Sequence, residues 1–276
     1  MNKRLILAVF FLVVGIAAML AYRFGNSRDQ EDMTLSGNVE VTEVNVAFKI
    51  PGRVTTLFTD EGRTVKSGEK LALLESAEYA SQVAQSRAVL ENANAQLEKA
   101  KNDYARAEAL FKQEAISAQQ MDSAKTTYDV ALAQIRQSTA ALRTSEVRLR
   151  DSVLYAPASG MVLRKNVEAG ETVAAGTPVF TIGDLEKPWI KVYVKEDKLG
   201  LVKLGQKALV STDTYQGKVY EGIVTYISSE AEFTPKNVQT REERVKLVFG
   251  VKVGVKNVND ELKPSMPADV KILVMP

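Results

Sequence analysis

Between Ser76 and Ser152 large apolar residues recur every seven positions. Val83, Leu90, Leu97, Tyr104 and Phe111 form one row, and Met121, Tyr128, Ile135, Leu142 and Leu149 form a second. Small residues accompany each row: Ala93, Ala100 and Ala107 beside the first, and Ala124, Ala131, Ser138 and Ser145 beside the second. This stretch contains no glycine and no proline and is rich in Ala, Gln, Leu, Glu, Lys and Arg, the strong helix formers. Large side chains at one core position and small ones at the other let two helices approach closely. The pattern predicts an antiparallel helical hairpin with arms of about 35 residues, each about 50 Å long at 1.5 Å per residue. Its turn falls between Phe111 and Gln120, where Ser117-Ala-Gln-Gln120 has capping-box spacing and makes Ser117 the N-cap of the return arm.

On either side of this stretch the period changes from seven to two. From Thr34 to Phe48, Val39 and Val41 occupy one parity and Val44, Val46 and Phe48 the other, so a bulge or bend is expected near Glu43. Ile190, Val192 and Val194 alternate with Lys191, Tyr193 and Lys195, and Val245, Leu247, Phe249, Val251, Val253 and Val255 alternate with Lys246, Val248, Gly250, Lys252 and Gly254, with Gly217, Gly222, Pro235, Pro264 and Pro267 as punctuation. This region predicts an antiparallel barrel or sandwich. At the other end, Leu5–Tyr22 is an unbroken apolar run of 18 residues preceded by Lys3 and Arg4. Its helical length of about 27 Å approaches that of a bilayer core, and the flanking charges put the N-terminus in the cytoplasm. A cleaved signal peptide is the rival reading. An uncleaved anchor is favoured, because the run is long and no small-x-small site follows it. Asn26–Asp32 reads as a polar linker.

The two segments that flank the hairpin repeat one another. Gly160 follows Gly52 by 108 positions (160 − 52), and Gly170 follows Gly62, Val173 follows Val65 and Gly176 follows Gly68 at the same interval. Each copy reads as strand, turn, strand, turn, strand, with Gly52, Gly62, Gly68, Gly160, Gly170 and Gly176 as turn glycines suited to φ > 0. Neither copy of about 30 residues can bury a core alone. The two are expected to interlock into one small β-sandwich split by the helical insertion.

Composition narrows the chemistry. The 276 residues carry a net charge of +2 with no histidine and no cysteine. Thiol catalysis, disulfides and ordinary zinc sites are thereby excluded, and the commonest general base is missing. No phosphate loop or nucleophile elbow is present, and Gly250-Val-Lys-Val-Gly254 lies inside a strand pattern without a third glycine. Asp60-Glu61 are adjacent carboxylates in a turn, where solvated turn residues are the default. No catalytic, cofactor-binding or metal-binding set is expected, and the protein reads as a non-enzyme. Basic and acidic residues are balanced, ten of each between Ser76 and Ser152, which argues against nucleic acid as a partner.

The expected architecture is multidomain α+β. Residues 1–25 form the anchor, 26–45 a linker and first strand, 46–75 the first half-motif, 76–152 the hairpin, 153–184 the second half-motif, and 185–276 a β-barrel with membrane-proximal strands. The half-motifs resemble the two halves of a biotinyl/lipoyl domain, with the helical insertion where a carrier would place its modified lysine. With Leu35-Ser-Gly37-Asn-Val39, Tyr155-Ala-Pro157-Ala-Ser-Gly160-Met-Val162 and Ala231-Glu-Phe-Thr-Pro235-Lys236, the order of segments resembles the HlyD-type membrane fusion proteins, and the last stretch resembles members paired with ABC-type transporters.

The resemblance implies a periplasmic adaptor anchored once in the inner membrane, linking an inner-membrane transporter of ABC type to an outer-membrane channel of the TolC type. It also implies a homo-oligomeric ring and no cofactor. Arg106, Leu110 and Ser117 match the spacing of the family's channel-facing tip motif. Simpler roles stand beside this one: Arg106 pairing with Asp103, Leu110 filling the hairpin core, and Ser117 only capping. Ser265-Met-Pro267 stands where the family commonly has Gly-Met-Pro, which puts that turn's geometry in question. The alternative function is an inner-membrane scaffold or regulatory subunit that uses its coiled coil for protein contacts without an outer-membrane partner.

Overall fold

The structure, a computed structural model, describes residues 33–233 and 247–273. The expected anchor Leu5–Tyr22, the linker and the end of the Ala231–Lys236 stretch lie outside the described residues. Among the described residues no helix is long and apolar enough to cross a membrane. The described residues divide into two compact units, one of 33–42 with 185–233 and 247–273, and one of 43–184.

Two long strands belong to both units: β1 (Met33–Ala47) and β8 (Pro178–Lys195). The parity change near Glu43 is present, but β1 remains one strand through it. Thr42 and Glu43 are consecutive exposed residues, after which burial moves from Val39 and Val41 to Val46 and Phe48. Val39 belongs to one hydrophobic core, and Val46 and Phe48 belong to the other. A strand whose successive side chains point to opposite faces can serve two cores only by such a change of phase.

In the first unit, β1 pairs with β12 (Pro267–Ile272), then come β9 (Lys207–Ser211), β10 (Val219–Phe233), β11 (Leu247–Val255) and β8, with a further β1–β8 pairing that closes the series into a six-stranded barrel. Closure removes the sheet edges that would otherwise invite association. Gly37 sits where an added Cβ would fall 2.1 Å from the Lys191 carbonyl oxygen, so no other residue fits there without moving backbone. Ile190, Val192, Val194, Val210, Val270 and Ile272 fill the interior. The inward row expected along β11 is incompletely covered at its start. Leu247 is 40% exposed and Phe249 half-buried, opposite a register shift in β10 between Ile227 and Ala231.

The second unit contains the repeat. The first copy supplies β2 (Gly52–Leu57), β3 (Thr64–Val65) and β4 (Lys70–Leu74), and the second supplies β5 (Val153–Tyr155), β6 (Gly160–Lys165), β7 (Thr172–Val173) and the start of β8. The copies exchange partners: β2 pairs with β7 and β3 with β6. The hydrogen bonds come in matched sets. Gly62 N–H donates to Val162 O at 2.8 Å, and Gly170 N–H donates to Val54 O at 2.7 Å. Gly68 N–H donates to Ala156 O at 2.8 Å, and Gly176 N–H donates to Phe48 O at 2.9 Å. Each bond maps onto its mate by the interval of 108 positions, so the two halves are related by a local pseudo-two-fold. Their shared core, including Phe48, Val54, Leu71, Leu74, Val162 and Phe180, draws on both copies and on no residue of the hairpin.

Between the copies run α1 (Ala77–Lys112) and α2 (Ala118–Arg150), 36 and 33 residues long. The buried seam is built from small residues, Ser86, Ala93, Ala100, Ser138 and Ser145, with Val83 the one large buried member. Ser86 Oγ and Ser145 Oγ lie 2.8 Å apart, so these buried hydroxyls satisfy one another. The large apolar row flanks the seam half-buried, and Tyr104 and Tyr128 stack with ring centroids 5.7 Å apart. The last member of the first row departs from this pattern: Phe111 is 43% exposed.

Candidate functional site

The closed end of the hairpin is capped on both sides of the turn. The N–H of Ala115 donates to Leu110 O at 2.9 Å and that of Glu114 to Phe111 O at 2.9 Å, with Glu114 in the left-handed region at φ 58°. This is a Schellman ending in which glutamate occupies the position glycine favours. On the return side, Ser117 Oγ accepts from Gln120 N–H at 3.3 Å, and Gln120 Oε1 accepts from Ser117 N–H at 3.0 Å. The capping box is therefore complete. The two motifs satisfy backbone groups that both helix ends would otherwise leave unpaired, Leu110 O and Phe111 O on one side and Gln120 N–H on the other, which fixes a short turn without burying it.

Arg106, Leu110 and Ser117 all stand at this end. Arg106 is one helical turn before Leu110, and Leu110 and Ser117 bracket the turn. Arg106 pairs with Asp103, yet its side chain is 75% exposed and leaves donors of the guanidinium fork free to reach outward. Leu110 does not fill the hairpin core, since 43% of it is exposed. Ser117 is exposed while it caps. Phe111 joins Leu110 as a second uncovered apolar side chain on the last turn of α1, a feature the heptad count hides because it assigns Phe111 to the seam. Exposed large apolar residues at the apex of a long hairpin have no fold to support.

The glycines divide into two kinds. Gly62, Gly68, Gly170 and Gly176 have φ of 77°, 81°, 99° and 84°. Gly52 and Gly160 do not occupy turns; each opens a strand, β2 and β6, with φ outside the left-handed region. They are needed for close approach instead. A Cβ at Gly160 would lie 2.5 Å from Gly183 O, and one at Gly52 would lie 3.2 Å from Leu74 Cδ1.

Asp60 and Glu61 are absorbed by the turn that holds them. Asp60 Oδ1 accepts from Glu61 N–H at 2.9 Å, and Glu61 Oε1 accepts from Lys165 N–H at 2.9 Å. The bond from Glu61 N–H, with Lys165 beside it, holds the Asp60 carboxyl below its usual range. Among the described residues no group of three or more acidic side chains is placed to hold a metal ion. Ser265 has φ 66°, so the turn where serine replaces the customary glycine keeps the left-handed geometry.

Known proteins share the two domains and the fold. Residues 42–184 match the model of the CzcB-like barrel-sandwich hybrid domain, and residues 187–274 match that of the CusB-like β-barrel domain. A UPF0194 membrane protein of Citrobacter koseri is 30% identical, the match covering 97% of this chain and 96% of the relative. Two solved structures share the fold. The membrane fusion protein Spr0693 from Streptococcus pneumoniae R6 has a TM-score of 0.70 at 19% identity, covering 88% of this chain and all of that one (100%). MacA from Actinobacillus actinomycetemcomitans has a TM-score of 0.71 at 24% identity, covering 88% of this chain and 78% of that one. The chain belongs to the membrane fusion protein family, with a CzcB-like barrel-sandwich hybrid domain interrupted by a helical hairpin and a CusB-like β-barrel domain.

Proposed function

We propose that this protein is a periplasmic adaptor, anchored by its N-terminal segment in the inner membrane, that couples an ABC-type transporter there to an outer-membrane channel of the TolC type for export of small molecules or other substrates. Its work is binding and transmission of conformational change, with no catalysis. The observation that carries the reading is the hairpin apex, where Leu110 and Phe111 are each 43% exposed beside the exposed Arg106. Arg106 offers a fixed fork of donors to carbonyls or carboxylates at a channel's end, while Leu110 enters an apolar groove. Because such channels are rings, several copies assemble about one axis. Val89 and Val130, 50% and 63% exposed, line a lateral groove of about 800 Å³ on the hairpin suited to a neighbouring copy's hairpin. The ABC assignment rests on the Ala231–Lys236 resemblance, and the anchor on the apolar length of Leu5–Tyr22.

The test is an export assay in cells with Arg106→Asp and Leu110→Asp, beside helicity and melting of the same purified proteins. Export is expected to fail while Arg106→Asp melts within about 1 kcal/mol of the parent, since an exposed ion pair contributes about 0.2–1 kcal/mol. Full export, or loss of export only in step with loss of fold, would remove the docking role of the tip and favour an inner-membrane scaffold.

A further inference from the structure

We propose that the barrel unit binds a small amphipathic anion, a molecule with an apolar body and a single phosphate, sulfonate or carboxylate head. Its site is a solvent-open groove of about 1100 Å³, slightly larger than the usual small-molecule pocket of about 300–1000 Å³. The floor is apolar. Pro188, Trp189 and Ala208 line it together with Ile223 and Val258, which are 52% and 87% exposed and have no cover among the described residues. Four lysines border the same groove, Lys187, Lys207, Lys252 and Lys256, against one carboxylate, Glu221. None of the four has a carboxylate within ion-pair distance among the described residues. An uncovered apolar floor with unpaired cations on its rim suits an occupant that is apolar at one end and anionic at the other.

The centre of the groove is held in place before anything binds. Trp189 Nε1 donates to Glu40 Oε2 at 3.1 Å, which fixes the indole. Lys252 Nζ lies 4.5 Å from the Trp189 ring centroid and 5.7 Å from that of Tyr226, so the ammonium is kept near aromatic faces and away from any counter-ion. An anionic head meeting Lys252 finds a positioned charge, and its apolar body finds Ile223 and Val258. A neutral apolar molecule would leave the lysines unused, and a cation would be repelled. This site is independent of the adaptor reading, because it shares no residue with the hairpin tip.

Trp189 is the chain's single tryptophan, so the groove carries its own reporter. The full chain is reconstituted in phosphatidylcholine vesicles, and tryptophan emission is followed while octyl phosphate is added below its micelle concentration. A saturable change is expected, with none from octanol at equal concentration. Lys187→Glu combined with Lys256→Glu should weaken the response at least about tenfold, because two charges on the rim are reversed. Neither side chain touches the indole face in the way Lys252 does, and melting of the variant checks its fold. Lys252→Gln should weaken it as well. Repeating the titration in phosphatidylglycerol vesicles separates the sources of the head group. A response already saturated there identifies a lipid anion, and an undiminished titration identifies a free amphiphile; either supports the site. No saturable response, an equal response to octanol, or a folded Lys187→Glu/Lys256→Glu variant that binds like the parent would overturn it.

Discussion

Gly52 stands opposite Val173 across the β2–β7 pair, and the partner relationship, Val65 opposite Gly160, is its image at the interval of 108 positions. The strand-opening glycine of each copy thus meets a valine of the other. The hydrogen bonds of Gly62, Gly68, Gly170 and Gly176 repeat the same symmetry. A half-motif that exports its pairing groups to its twin cannot fold without it. That explains how a long insertion is tolerated between the copies: it interrupts the chain and leaves the sandwich core intact.

The glycines should respond unequally to substitution. Gly160→Ala drives a Cβ to 2.5 Å from a backbone oxygen and should destabilise by about 1–3 kcal/mol. Gly52→Ala meets only a Leu74 methyl at 3.2 Å, which can shift, and should cost well under half as much. Valine at Gly62 or Gly170 should cost about 1–3 kcal/mol from backbone strain alone, since nothing lies within 4 Å of an added Cβ. Thermal melts rank the set, and equal melting of Gly52→Ala and Gly160→Ala would contradict the close-approach account.

Three described residues in the left-handed region are not glycine, Glu114, Asp260 and Ser265, and two of them offer a clean test of the opposite change. Ser265→Gly and Glu114→Gly, at φ 66° and 58°, should each stabilise by about 0.5–1 kcal/mol, the relief of strain exceeding the added freedom of the unfolded chain. Denaturant midpoints measure this, and a lowered midpoint for Ser265→Gly would show that the serine is held by more than its backbone.

The hairpin should be separable. Removing residues 80–148 and joining the arms by a short turn should leave the sandwich cooperatively folded, because no residue between Ala77 and Arg150 belongs to its core. Tyr79, whose hydroxyl donates to Pro51 O at 2.6 Å, is retained in that deletion. Loss of the cooperative transition would show that the helices are part of the folding unit.

Glu261 gives the barrel a defined pH response. It accepts from Lys218 Nζ at 2.6 Å and from Tyr220 Oη at 2.7 Å, and the Lys218 bond, then the Tyr220 bond, holds its carboxyl below the ordinary 4.5. Because the folded value is the lower one, this contribution is complete above pH 4.5 and is lost as the pH falls through the folded value. Burial, followed by the bond to Glu261, pushes the Tyr220 phenol from 10.0 up to about 12. Its contribution is complete below pH 10.0 and is lost as the pH rises towards about 12. Glu261→Gln should melt below the parent at neutral pH, with the gap narrowing at pH below 4.5. A gap that stays constant into acid would mean the carboxylate is not the source.

Periodicity was enough to read the large elements. A seven-residue repeat without Gly or Pro leaves a long hairpin as its economical solution, and Ser117 with Gln120 announces the return helix, because these are local backbone demands met within a few residues. The copy interval likewise revealed the interlocked sandwich and four of its turn glycines. Features that depend on residues distant in the chain were not legible. Gly52 and Gly160 share the repeat's register with the turn glycines, and only the approach of Leu74 and of Gly183 distinguishes them. Phe111 keeps the heptad phase, but α1 ends one residue later and the partner helix is not there to cover it. The groove around Trp189 and Lys252 gathers side chains from β8, β9, β10 and β11, whose proximity follows from barrel closure and leaves no period in the chain.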